Sequence, residues 1–242
     1  MYDPVALAET TEKIVVKGKL RKYYRKARIE KWYNGIVSAY CCGCNLRCVF
    51  CWSGSARDHT DSIGRFYSPE QIYDQLAQAA AQSGYKQLRL TGNEPTLGKD
   101  HLFGILELVE QNDYLFILET NGILIGSDRH YAKQLSRFQR VHTRISLKAT
   151  DPEAFSRFTG ARPEAFDLQL QALRNALDAN ISFNPAIMTS FSSTLQLRKL
   201  EETLKMIDRS LVERLEKEHV ILYPPVAKRL EQANLEVRSE SI

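Results

Sequence analysis

The chain has 242 residues, 43% hydrophobic and 26% charged, a composition that fits one globular unit and excludes a low-complexity or disordered chain. No stretch reaches the roughly 18 apolar residues of a membrane-crossing helix, and Met1–Pro4 lacks the start of a secretion signal, so a cytoplasmic protein with no membrane partner is expected. The net charge of +4 is uneven: from Lys13 to Lys31 nine basic side chains face one acid, Glu30.

That basic block (residues 13–31) suits RNA, an acidic protein or a phosphate-bearing substrate. The plainer alternative is a solvated helical arm. Beyond it, strand-like and helix-like periodicities alternate. A strand at residues 35–40 runs into the cysteines. Ser68 as N-cap, Pro69 at the first helical position and Gln71 closing a capping box start a helix whose stripe is Ile72, Leu76, Ala79 and Ala80, with Gly84 as its stop. Residues 86–91 form a second strand, 99–112 a helix, and 114–119 a nearly continuous apolar strand of the kind buried on both faces. A helix near 128–138 precedes a strand at 141–147. After a short helix begun by Asp151 and a longer one over 163–179 comes a fifth strand at 181–188, in which Pro185 suggests a bulge or bend. A helix near 195–208 leads to a sixth strand at 219–223, ended by Pro224 and Pro225.

Six strand–helix units are too few for a closed eight-fold barrel, which takes about 250 residues. The expected fold is α/β, an incomplete (β/α)6 partial TIM barrel with parallel strands. A doubly wound open sheet is the competitor. The divisions are a basic extension (1–34), a barrel domain (35–226) and a polar C-terminal tail (227–242).

All five cysteines, Cys41, Cys42, Cys44, Cys48 and Cys51, lie within eleven residues. A disulfide framework would spread them and use an even number, so metal binding in a reducing compartment is the better reading. Cys41, Cys44, Cys48 and Cys51 match a zinc pattern formally, but zinc sites usually separate their pairs by a dozen or more residues. The spacing C-x3-C-x2-C of Cys44, Cys48 and Cys51 places three thiolates around a [4Fe–4S] cube and leaves its fourth iron open. Cys41 and Cys42 read as small buried residues at the strand end.

Strand C-termini carry the chemistry of β/α barrels. After the second strand comes Thr91-Gly92-Asn93-Glu94-Pro95, after the third Glu119-Thr120-Asn121-Gly122, and after the fourth Ser146-Leu147-Lys148. These polar segments are expected on one rim with the cysteine loop. The histidines form no ligand cluster, and Arg57, Asp58, His59, Asp61 and Arg65 read as members of a long polar loop.

Cys44, Cys48 and Cys51, with Phe50 before the last cysteine, resemble the signature of the radical S-adenosylmethionine (SAM) superfamily. The resemblance covers roughly residues 35–225. It implies that the open iron binds the methionine moiety of SAM, that an electron from the cluster cleaves the sulfonium bond, and that the resulting 5′-deoxyadenosyl radical abstracts hydrogen from a substrate. Gly92-Asn93-Glu94-Pro95 is similar to the family's Gly-Gly-Glu-Pro segment, which contacts the SAM amino group; Asn93 stands where the second Gly does, and Asn tolerates a left-handed backbone. Glu119-Thr120-Asn121-Gly122 and Ser146-Leu147-Lys148 resemble segments of the glycyl-radical activating enzymes. That similarity implies Ser146 near the ribose or methionine portion, Lys148 near the carboxylate, Thr120 and Asn121 in the cofactor site, and Phe50 beside the adenine or in the core.

Three functions compete. An activase-like enzyme would act on a peptide, a protein or a small molecule, with flavodoxin or ferredoxin as electron donor. Cys48-Val49-Phe50-Cys51-Trp52 and the basic block instead resemble tRNA-modifying members related to wybutosine synthesis. A non-catalytic iron–sulfur electron carrier would need a fourth ligand from Cys41 or Cys42.

Overall fold

The computed structural model describes residues 1–238. Among the described residues nine strands share one sheet: β1 (Val16–Lys17), β2 (Leu20–Glu30), β3 (Ile36–Cys41), β4 (Arg65–Tyr67), β5 (Gln87–Thr91), β6 (Leu115–Thr120), β7 (Val141–Leu147), β8 (Phe183–Met188) and β9 (Glu216–Glu218). The order is β1-β2-β3-β5-β6-β7-β8-β9, with β4 beside β2. From β3 through β5, β6, β7 and β8 to β9 every neighbour is parallel. These six strands form the expected partial barrel, and the sheet stays open.

Alternation along the strands gives the sheet two unlike faces. Val37, Leu88, Leu90, Phe116, Leu118, Ile145, Leu147 and Ile187 are at most 1% exposed and join the core with the crossover helices. Those helices begin as their sequences dictate. Over Pro69–Ser83, the Ser68 side chain accepts from Gln71 N, Gln71 closes the box, and Gly84 at φ 74° ends the helix. Ser193 and Gln196 repeat the device on Thr194–Ile207.

Three expectations change. The sixth strand is Glu216–Glu218, not residues 219–223; Ile221 and Leu222 stand 50% and 55% exposed. Local hydrophobicity lost to tertiary charge, because Glu216 and Glu218 pair across β8 with Arg144 on β7. The basic block is not a helical arm. A helix, Pro4–Val15, covers only its start, and β2 then pairs antiparallel with β3 and extends the sheet. Arg21 and Lys22 are buried, Arg21 donating to the carbonyls of Val15 and Glu94, and Lys22 to those of Thr60 and Asp61. Pro185 makes no bulge: β8 keeps register with β7 from Phe183 to Ile187.

Candidate active site

The second face of the sheet is polar and opens into a cavity of about 660 Å³. Its floor is a network of ion pairs. Arg89, at the middle of β5, donates to Glu30 (2.6 Å), Glu119 (2.9 Å) and Ser38 (2.9 Å). Glu119 also accepts from Thr91 (2.7 Å) and Tyr33 (2.8 Å). On β7, Arg144 donates to Glu216 (2.6 Å) and Glu218 (2.5 Å). Ser146 joins them, donating to Glu218 (2.8 Å) while accepting from Lys148 (2.7 Å). Burial opposes ionisation of Glu218, but Arg144, Lys148 and the Ser146 hydroxyl outweigh it, and the carboxyl titrates below its ordinary range. Buried charges here are paired and hydrogen-bonded, as a low-dielectric site requires.

Cys44, Cys48 and Cys51 line the same cavity. Three arginines hold the carbonyls of their loop. Arg47 donates to Cys44 O (2.5 Å), Arg57 to Cys48 O (2.6 Å), and Arg229, from the helix Pro224–Gln232, to Val49 O (3.1 Å) and to Cys51 O. Arg47 N and Val49 N donate to the carbonyls of Thr159 (3.2 Å) and Phe158 (2.9 Å). The loop is therefore shaped by the chain itself. Burial pushes the Cys48 thiol up to about 11, with the Lys148 charge pulling the other way, and burial also pushes the Cys44 thiol well up. Cys41 and Cys42 are 1% and 0% exposed and bond the carbonyls of Thr91 and Ile63, which agrees with small buried residues at the strand end.

The segment after β5 ties the rim together. Gly92 has φ 96°, and a Cβ there would come within 3.1 Å of the Tyr24 hydroxyl and 3.2 Å of Cys41 O, so glycine is required. Asn93 is not left-handed, contrary to expectation. Its amide explains it: Oδ1 accepts from Gly43 N (2.9 Å) and Nδ2 donates to Ser53 Oγ (2.6 Å), spanning the two ends of the cysteine loop. Glu94, 2% exposed, accepts from Thr96 N (3.1 Å), Thr96 Oγ1 (2.6 Å), Thr120 Oγ1 (2.7 Å) and Asn121 N (2.8 Å), locking the ends of β5 and β6. Asn121 Nδ2 reaches Asn45 Oδ1 (2.7 Å) in the cysteine loop. Phe50, 8% exposed, stacks on Phe191 at 5.6 Å and touches the cavity, so it is at once a core and a wall residue.

Of the residues singled out from sequence, Cys44, Cys48, Cys51, Phe50, Gly92, Asn93, Glu94, Thr120, Asn121, Ser146 and Lys148 line the cavity. Pro95 is buried behind the wall. Sequence reading missed Arg89, Arg144, Glu216 and Glu218, although an arginine amid an apolar strand was a signal. It also assigned Arg57 to a polar loop, whereas the residue is 5% exposed on the helix Gly54–Asp58. Arg229 left no local signal, its partners lying some 180 positions away.

A Radical SAM superfamily model matches residues 39–207 of the chain. The chain belongs to the radical SAM superfamily. It is a radical SAM enzyme, and membership of the superfamily implies SAM and an iron–sulfur cluster. Among its relatives are a probable GTP 3′,8-cyclase of Saccharolobus islandicus, 30% identical over 76% of this chain and 54% of that protein, and a probable GTP 3′,8-cyclase of Pyrobaculum aerophilum, 31% identical over 57% and 42%. The chain thus spans about half the length of the curated relatives it matches. Streptococcus suis SuiB, solved bound to S-adenosylmethionine, shares the radical SAM fold, with a TM-score of 0.61 at 18% identity over 79% of this chain and 44% of that one.

Proposed function

We propose that Cys44, Cys48 and Cys51 hold a [4Fe–4S] cluster with one iron left for SAM, and that the enzyme abstracts hydrogen from a substrate in the same cavity. The observation that carries this reading is the meeting of three thiols from one loop with the ends of β5, β6 and β7 on one cavity wall. The donor set suits a polynuclear group. Three thiols from one short loop can each take a different iron of a cube.

When bound, the cluster supplies the electron that splits SAM into methionine and a 5′-deoxyadenosyl radical. The chain's own residues hold the reactants. Gly92 lets the backbone approach, Asn93 and Glu94 fix the rim beside the SAM amino group, and Pro95 stiffens the turn behind them. Lys148, the cation beside Cys48, attracts the SAM carboxylate. Thr120, Asn121 and Ser146 would hold the ribose and methionine portions, and Phe50 would hold the adenine. Flavodoxin or ferredoxin would deliver the electron, in a cytoplasmic setting that keeps the thiols reduced.

For the substrate, the activase-like segments at 119–122 and 146–148 support a peptide, a protein or a small molecule. A nucleotide is the second reading, favoured by relatives whose names specify GTP. Electron paramagnetic resonance on the reduced, anaerobic protein tests the core of the proposal. SAM should alter the signal, and methionine and 5′-deoxyadenosine should form; Cys48→Ala should abolish both. A signal indifferent to SAM, with no 5′-deoxyadenosine formed, overturns it.

A further inference from the structure

The cavity has a basic and aromatic approach. β4 covers only Arg21–Tyr23 of β2 on the side away from β3, so among the described residues no strand pairs with 24–30 on that side. Arg25 and Lys26 on that edge, Lys31 just after it, Lys17 on β1 and Arg65 on β4 are exposed and form no ion pair among the described residues; Arg28 reaches Glu30 at 3.8 Å. Three of these cations lie over rings: Lys17 over Phe66 (4.6 Å), Lys26 over Tyr67 (5.6 Å) and Arg25 over Tyr40 (5.9 Å). Tyr40 meets Trp52 edge-on at 5.7 Å.

Arg25, over Tyr40, and Lys31, next to Trp32, adjoin the mouth of the cavity, which Arg28, Trp32, Tyr33, Tyr40 and Trp52 line. Trp32 and Trp52 are 58% and 49% exposed, large flat apolar surfaces left in water beside cations. The turn that carries Trp32 is strained as well. Tyr33 and Asn34 adopt φ 53° and 61°, a left-handed backbone costing about 1–3 kcal/mol per residue. Spaced cations with interleaved aromatic platforms are the surface that tracks a phosphate backbone while stacking bases. An acidic peptide would use the cations and leave the indoles idle.

We propose that this surface binds a single-stranded nucleic acid and delivers one of its bases into the cavity. The inference rests on the cavity being the active site, and names its substrate class.

Fluorescence anisotropy of a labelled mixed-sequence 16-mer, as RNA and as DNA, tests it on the full chain. Five phosphate contacts give a slope of about −3.5 in log K against log salt, or about 100-fold weaker binding from 50 to 200 mM. Neutralising Arg25, Lys26 and Lys31 together to Gln should reduce that slope by about 2 and weaken low-salt binding at least tenfold. Trp52→Ala should weaken binding at least fivefold with the slope unchanged, because a stacked base is worth about 1–3 kcal/mol, and Trp52→Phe should restore most of it. Lys133→Gln with Lys205→Gln, on exposed helix surfaces elsewhere, should change nothing. Binding of RNA alone or of both polymers supports the proposal, the 2′-hydroxyl deciding the source. Absent binding at 50 mM overturns it, as does poly-glutamate competing equally with Trp52→Ala silent. Because the triple variant leaves the SAM site intact, dithionite-driven 5′-deoxyadenosine formation should persist in it. Loss of binding with that reaction retained separates this proposal from the reading of the active site.

Discussion

The two faces of the sheet are built from alternate residues of the same strands, yet they obey different rules. Behind, Leu88, Phe116, Leu118 and Ile187 are sealed against helices, and their contribution is area removed from water. In front, Arg89, Glu119, Arg144 and Glu218, whose side chains are 9–25% exposed, are held by direction and charge. A strand with period two can serve both faces only while its register holds. Stability is thus concentrated on one face and the proposed chemistry on the other, and each residue's substitution should report which face it belongs to.

The largest effect belongs behind the sheet. Phe116→Ala should lower unfolding free energy by about 3–5 kcal/mol in urea titration, through lost burial and a residual cavity. A loss below about 1 kcal/mol would show that the helix face is not the main source of stability.

Next comes a buried titratable pair between the helix Lys99–Glu110 and β2, His101 and Tyr23, whose ring nitrogen and hydroxyl lie 2.9 Å apart. Burial depresses the His101 pKa from 6.5 to about 4, against the pull of its bond to Lys19 O. The folded state therefore prefers the neutral ring. Its contribution is full above pH 6.5 and is lost as pH falls towards 4, by about 3 kcal/mol in total. Urea midpoints at pH 7 and 4.5 should differ more for the natural protein than for His101→Gln; equal differences would remove His101 as the source.

A smaller stability change, with a larger functional one, is expected from the cavity face. Glu119→Gln keeps the shape but removes the charge that Arg89 pairs with, and forces one of the Thr91 and Tyr33 donors to face an amide NH2. The expected loss is about 1–3 kcal/mol, with substrate-dependent 5′-deoxyadenosine formation falling at least tenfold. A variant that loses stability and keeps that turnover would make the network a structural element only.

The cysteine spacing, the capping box at Ser68 and the first five strand–helix units were legible because each signal is local: a period, a cap or a spacing fits within a few residues. The rim segments at Gly92, Glu119 and Ser146 were legible by position, since each follows an apolar strand. The sixth strand was misplaced because Val220–Tyr223 has the hydrophobic look of a strand, while the true strand, Glu216–Glu218, is polar and makes sense only opposite Arg144. Asn93 was assigned to backbone tolerance when its amide is in fact a brace between Gly43 and Ser53. Nothing local announces a partner fifty residues away.

By itself, then, the sequence determined a three-cysteine loop at the end of a parallel strand, and with it the superfamily. Tertiary structure alone decided which charges face inward, which of the nine basic residues in the N-terminal block are spent on carbonyls and which stand free, and that arginines at 47, 57 and 229 grip the cysteine loop. The physical reason is that local pattern records burial and turn geometry, whereas ion pairs and hydrogen bonds between distant segments are fixed only when the sheet brings their strands together.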